Sequence, residues 1–179
     1  GVWQLVQPEL AFIHNNNVRS IDLPGYGSSK TCPNPYTLHS AAALLSEQLK
    51  PHSILMGWSL GGLFALYIAK HWPEKVAKVI LVAASPFFAE QAPWPGIKAQ
   101  VLTQFKEQLV NHGEKTIERF LAIQAMGSES ARDDVKQLKQ LLNQYKAPEN
   151  EALTAGLDIL QNEDLRALFT HCPVPISAI

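Results

Sequence analysis

Apolar positions along the chain fall into short continuous runs separated by helix-spaced stretches. Trp3, Leu5, Val6, Leu10, Phe12 and Ile13 predict a helix that leads into a turn at Asn15-Asn16-Asn17. Val18–Leu23 reads as a short strand, stopped by turn residues from Pro24 to Ser29. Tyr36–Leu49 predicts a helix with Leu38, Ala41, Ala42, Leu45 and Leu49 near one face, ended by Pro51. Ser53–Gly57 and Val76–Ala84 are apolar runs of the kind that form buried parallel strands. The helix between them starts at Leu60 or Gly61, runs to about His71 and is closed by Pro73. Strands that alternate with helices in this way predict a parallel α/β sheet.

The pattern changes after Ser85. Pro86, Pro93, Pro95 and Gly96 mark a connection, and from Ile97 to about Asp164 only helical periodicity remains. Four helices are expected there: Ile97–Val110, Glu114–Met126, Ser128–Tyr145 and Asn150–Leu160. Strand character returns at Cys172–Ile176. A helical block between strands reads as a cap inserted into a sheet domain. The expected organisation is therefore a core over residues 1–85, a helical cap over 86–165 and a returning core over 166–179.

Composition narrows the classes. Hydrophobic residues make up 46% of the 179 positions and charged residues 17%, which is too apolar for a disordered chain. A net charge of −1 supplies no global field for nucleic acid or an acidic membrane. No apolar run approaches the roughly 20 residues that span a bilayer. Cys32 and Cys172 form no metal-ligand spacing and are expected as reduced thiols, which favours a cytoplasmic setting. No metal, cofactor, nucleic acid or membrane is expected. The chain starts at Gly1 and stops as a strand begins, so it reads as part of a longer protein.

The chemistry centres on Gly57-Trp58-Ser59-Leu60-Gly61, followed by Gly62. A serine on a sharp strand-to-helix turn is exposed for nucleophilic attack, and the residues two positions either side must be small. Gly57 and Gly61 are expected to meet that need. The helix that follows places free N–H groups near developing negative charge, and the Leu60 N–H is an expected oxyanion donor. A glycine-rich turn of this kind can also pack a helix closely on a sheet or bind phosphate. The Gly-Lys-Ser/Thr ending of a P-loop and a G-x-G-x-x-G fingerprint are both missing. Upstream, Asp22-Leu23-Pro24-Gly25-Tyr26-Gly27-Ser28-Ser29 is similar to the D-x-P-G-x-G-x-S loop common in α/β hydrolases.

These segments together resemble the pimeloyl-acyl-carrier-protein methyl ester esterases of biotin synthesis. The resemblance rests on the run Gly57–Gly62, on Trp94-Pro95-Gly96-Ile97-Lys98, on Thr116–Gly127 and on Asp164-Leu165-Arg166. It covers essentially the whole chain, and the cap segment is its most specific part. It implies an α/β-hydrolase fold, here truncated at both ends of the core, with a mostly parallel sheet, helices on both faces and an all-helical cap. It implies a serine carboxylesterase that removes the methyl group from a pimeloyl chain on acyl carrier protein; a monomer is expected. Ser59 would be the nucleophile and Leu60 the oxyanion side. Phe120, Leu121, Ala122, Ile123 and Gln124 would line the acyl channel, although the same stripe could simply pack the cap.

Lys115 and Arg119 are four residues apart, and Arg132, Lys136 and Lys139 follow at spacings of four and three, so each set shares a helix face. By the resemblance, Lys115, Arg119, Arg132 and Lys136 would meet the acidic carrier. Glu118, Glu129 and Asp133 offer the alternative of ordinary surface pairing. The family also carries an upstream H-G-x-G-type loop and a downstream acid and histidine, none of which has a counterpart here. His14, His39, His52, His71, His112 and His171 do not stand where the triad histidine belongs, so no triad base or acid is assigned. The chain alone is expected to be nearly inactive. The other readings are a different capped α/β hydrolase, such as an aryl or lipid esterase or an aminopeptidase, and a chain without catalytic activity.

Overall fold

The computed structural model describes residues 3–4, 6–13, 17–126, 130–142 and 148–179. Three parallel strands form its sheet, in the order β1 (Ser53–Trp58), β2 (Val76–Val82) and β3 (Ile176–Ala178). Parallel neighbours need long crossovers. The first crossover is α3 (Leu60–His71) with a 3₁₀ turn at Pro73–Lys75. The second contains α4 (Ala99–Asn111), α5 (Gly113–Gln124), α6 (Ala131–Leu142), α7 (Asn150–Asn162) and α8 (Arg166–Thr170). Before the sheet come α1 (Gln7–Ile13) and α2 (Leu38–Glu47).

The core centres on α3. Gly62, Leu63, Phe64, Ala65, Leu66, Ile68 and Ala69 are all buried, so this helix is apolar nearly all round. It packs on β1 and β2, with α2 and α8 against it. The start of α2 is a capping box, in which the Thr37 hydroxyl accepts from the Ser40 N–H and the Ser40 hydroxyl accepts from the Thr37 N–H. On the sheet side, Val79 and Leu81 face inward two residues apart along β2, and Val76, across a register shift at the start of the strand, is buried too.

Most expected elements are present, with ends shifted by a few residues. The expected strand at Val18–Leu23 is a correction, because this segment is extended but joins no ladder among the described residues. Its anchors are side chains: Arg19 donates to the Gln48 carbonyl at 2.7 Å, and Ser20 donates to Gln7 at 2.7 Å. Ile21 and Leu23 pack on the core. Apolar pattern gives a segment its extended shape and inward face, but a strand also needs a neighbouring backbone. The helix α8 has no counterpart among the expected elements, since five residues are too few for periodicity to register. Leu5, Asn15, Asn16, Ser128, Glu129 and Tyr145 lie outside the described residues.

Candidate active site

Ser59 stands between β1 and α3 with φ 50° and ψ −118°, a conformation that a residue with a side chain rarely adopts. The sheet ladder runs up to it, since its N–H donates to the Val82 carbonyl at 3.0 Å. The helix starts from it, since the Gly62 N–H donates to the Ser59 carbonyl at 2.9 Å. These two bonds hold the backbone in a strained turn that costs on the order of 1–3 kcal/mol. The serine side chain makes no capping bond to the helix, so its hydroxyl is left for other chemistry. Leu60 is the first residue of α3, and its N–H precedes the first intrahelical hydrogen bond.

The glycines around Ser59 divide differently from the expectation. A Cβ on Gly57 would collide with the Gly61 carbonyl oxygen and would lie 2.6 Å from the Gly61 carbonyl carbon and 2.7 Å from the Gly62 Cα. A Cβ on Gly62 would lie 2.5 Å from the Ala84 Cβ. A Cβ on Gly61 would meet nothing within 4 Å. The turn therefore demands glycine at Gly57 and Gly62, and Gly61 faces open space. The motif spacing marks Gly61, whereas the crowding comes from the strand passing behind Gly62.

A second strained residue adjoins the first. Ala83, just past β2, has φ 44° and donates to the Ile179 carbonyl at 3.0 Å. Two strained positions thus lie side by side, at the C-terminal ends of the adjacent strands β1 and β2.

The loop after Leu23 is tied to itself, to Tyr36 before α2 and to α7. Asp22 accepts from the Ser28 N–H at 3.0 Å and from the Ser28 hydroxyl at 2.8 Å. Tyr36 donates to the Pro24 carbonyl at 2.9 Å, and Tyr26 donates to the Ala152 carbonyl of α7 at 2.9 Å. Burial raises both phenol pKa values well above the ordinary tyrosine value, so both remain donors. The Glu149 N–H donates to the Gly25 carbonyl, and α7 approaches so closely that a Cβ on Gly156 would lie 2.5 Å from the Tyr26 oxygen and 3.0 Å from Leu60. Sequence reasoning assigns Tyr26, Tyr36 and Gly156 no role, because each acts through a partner distant in the chain.

From the helical block, Phe120 reaches the elbow. Its ring centroid lies 6.3 Å from that of Trp58 and 5.8 Å from that of Phe105 on α4. Leu121 is buried, while Ala122, Ile123 and Gln124 are exposed on the same helix. Lys115 and Arg119 on α5 and Arg132 and Lys136 on α6 are exposed. Lys139 pairs with Glu118 across α5 and α6 at 2.8 Å, which is the surface pairing raised as an alternative. Glu129 lies outside the described residues.

The described histidines are all exposed. His39 and His71 belong to a surface cluster with Tyr67 and Trp72, and the His171 ring meets the Ala167 carbonyl. His112 lies between α4 and α5, its carbonyl accepting from Thr116, and His52 has φ 56° beside β1. His14 lies outside the described residues. Cys32 and Cys172 are free thiols, and burial, with Glu151 and Glu149 nearby, raises the Cys32 pKa. No group of three or more metal-ligating side chains occurs among the described residues.

Comparisons with known proteins agree with this geometry. A family model described as the alpha/beta hydrolase fold matches residues 2–167. A protein of Klebsiella pneumoniae subsp. pneumoniae named pimeloyl-[acyl-carrier protein] methyl ester esterase is 43% identical over 174 residues, covering 97% of this chain and 66% of that protein. A protein of the same name from Vibrio cholerae serotype O1 is 45% identical over 176 residues, covering 98% of this chain and 68% of that protein. The chain spans about two thirds of the length of these curated relatives. Among solved structures, an esterase from Exiguobacterium antarcticum superposes with a TM-score of 0.73 at 24% identity, over 88% of this chain and 60% of that one. A hydrolase from Oleispira antarctica superposes with a TM-score of 0.72 at 14% identity, over 97% of this chain and 67% of that one.

Proposed function

The chain belongs to the α/β-hydrolase fold family, and from that premise we propose that the protein is a serine carboxylesterase acting on the methyl ester of pimeloyl-acyl-carrier-protein. The strained Ser59 turn carries the esterase part of this reading. The likeness to relatives bearing that name supports the substrate.

In the reaction, the Ser59 oxygen attacks the ester carbonyl carbon while a histidine base takes the hydroxyl proton. The tetrahedral oxyanion accepts from the Leu60 N–H at the head of α3 and from a second donor. The C–O bond to the methoxy group then breaks, and the histidine returns the proton so that methanol leaves. Water attacks the acyl-enzyme by the same route and releases the free carboxylate, with the thioester to the carrier intact. The histidine, its acid partner and the second oxyanion donor are not assigned to residues of this chain. Without the base the hydroxyl stays protonated, and loss of a triad member costs on the order of 10⁴–10⁶ in rate.

In this reading residues 1–85 and 166–179 belong to the catalytic core and residues 86–165 form the cap. Phe120 lines the acyl passage beside Trp58, and Leu121, Ala122, Ile123 and Gln124 complete that stretch of α5. Lys115, Arg119, Arg132 and Lys136 offer the acidic carrier a basic surface, a charge contact that favours encounter. The protein acts as a cytoplasmic monomer. No helix among the described residues is long and apolar enough to cross a membrane.

The full-length protein, incubated with pimeloyl-acyl-carrier-protein methyl ester, should yield the free acid and methanol, detected by mass spectrometry of the carrier. Hydrolysis of p-nitrophenyl acetate without any action on the carrier-bound ester would replace this substrate with that of another capped esterase. Inactivity on both would remove the esterase reading.

A further inference from the structure

The helical block leaves the sheet after Ser85 and returns at Asp164-Leu165-Arg166, and hydrogen bonds join the two ends. The Leu165 N–H donates to the Pro86 carbonyl at 2.8 Å. Arg166 sits over this junction. Its Nε donates to Asp164 Oδ1 at 2.9 Å and to Oδ2 at 3.1 Å, and its terminal nitrogen donates to Asp164 Oδ2 at 2.6 Å and also to the Gln91 side-chain oxygen. The guanidinium carbon lies 4.7 Å from the Phe87 ring centroid and 5.3 Å from the Trp94 ring. Hydrogen bonds from Arg166 hold the Asp164 carboxyl below its ordinary pKa, so the pair stays charged.

Residues 86–97 contain no helix or strand, only the isolated bridges Ala89↔Ile97 and Gln91↔Trp94. Their shape depends on side chains. Trp94 donates from its indole N–H to the Phe87 carbonyl at 3.0 Å, and the Ser85 hydroxyl donates to the same oxygen at 2.8 Å. Phe87, Ala89 and Leu102 form a small apolar cluster against Trp94, separate from the main core. Leu102 and Phe105 are three residues apart on α4 and so lie on neighbouring faces. Phe105 contacts Phe120, and Phe120 contacts Trp58, next to Ser59. The helix α4 therefore carries both Leu102, packed beside the partners of Arg166, and Phe105, which meets Phe120 next to the elbow.

We propose that Arg166 is a positioning residue that latches both feet of the helical block together and thereby sets the stance of Phe120 over Trp58, fixing the width of the acyl passage. This rests on the esterase reading and names a specificity element within it. Arginine suits the place because its flat guanidinium stacks on two rings while its edge binds a carboxylate through two nitrogens. Lysine keeps the charge but offers neither the plane nor the fork.

The test uses Arg166→Ala and Arg166→Lys in the full-length protein, with a pimeloyl-length methyl ester and p-nitrophenyl acetate as substrates. In both variants kcat/KM on the long ester should fall about tenfold relative to the short one, whose own rate should stay within about twofold. Equal loss on both substrates, full rescue by lysine, or an unchanged ratio would each overturn the proposal. Hydrogen exchange gives a readout independent of catalysis. In Arg166→Lys, the amides of residues 86–124 should exchange faster while those of 53–82 keep their wild-type protection. A uniform rise, or no change, would overturn the latch. Should the wild type hydrolyse neither ester, the esterase reading falls, and hydrogen exchange alone decides the latch.

Discussion

The elbow and the helical block hold their shapes in opposite ways. Around Ser59, the Gly57 backbone packs on the backbone of Gly61 and Gly62, and the Gly62 backbone packs on the Cβ of Ala84, an atom fixed to its own backbone. In the helical block, side chains pack on side chains, and much apolar surface stays outside. Met126 is 76% exposed, Val110 62% and Ile123 55%, whereas Phe64 of α3 is 2% exposed. A backbone contact cannot shift without moving a strand or a helix, so the elbow keeps one shape. Side-chain contacts can re-form, so the block can vary its surface while the turn keeps its shape. Under the proposed function, this difference puts the chemistry in the over-determined turn and the selectivity in the adaptable helices.

Substitutions can break this contrast at several strengths. The largest effect is expected at Gly57. Gly57→Ala puts a methyl into the α3 backbone, and esterase activity should be abolished with a stability loss on the order of 3 kcal/mol or more, read by chemical denaturation. A mild effect there would mean that the turn is not as tightly fixed as the geometry states.

A smaller and more selective effect is expected on the block. Arg119→Glu combined with Arg132→Glu should raise KM for the carrier-bound ester by about tenfold, with the effect shrinking at high salt. Turnover of p-nitrophenyl acetate should hardly change. Equal losses on the two substrates would place the damage in the fold rather than in docking. Lys139, already paired with Glu118, should contribute less, because exposed pairs give only a few tenths of a kcal/mol.

The smallest effect is expected at Gly61, the glycine that the motif marks most plainly. Gly61→Ala meets open space and removes a flexible residue from a helix, so stability should hold or rise by up to about 1 kcal/mol. A marked destabilisation would show that the crowding extends beyond Gly57 and Gly62.

The core is more legible in the sequence than the block. Runs such as Ser53–Gly57 and Val76–Ala84 announce strands directly, although Ile54 is 57% exposed and Gly57 is the buried residue of β1, and the serine turn between them has one spacing and one chemistry. The four long helices of the block also show through their periodicity, because each carries apolar residues at helical spacing. What periodicity cannot carry is pairing. It marks Val18–Leu23 as a strand without saying that its anchors are Arg19 and Ser20 side chains. Motif spacing assigns crowding to Gly61, because the close neighbour of Gly62 is Ala84, more than twenty residues away. Arg166 stands in the Asp164-Leu165-Arg166 motif, yet its partners Phe87, Gln91 and Trp94 lie about 75 residues earlier and become visible only in three dimensions.

The central claim is that Ser59 is the nucleophile, and covalent labelling tests it most directly. A fluorophosphonate probe applied to the full-length protein should modify one serine, found by peptide mass spectrometry at Ser59, and Ser59→Ala should remove all labelling while the protein stays folded. Labelling that persists in Ser59→Ala, or that maps to another serine in the wild type, would contradict the account.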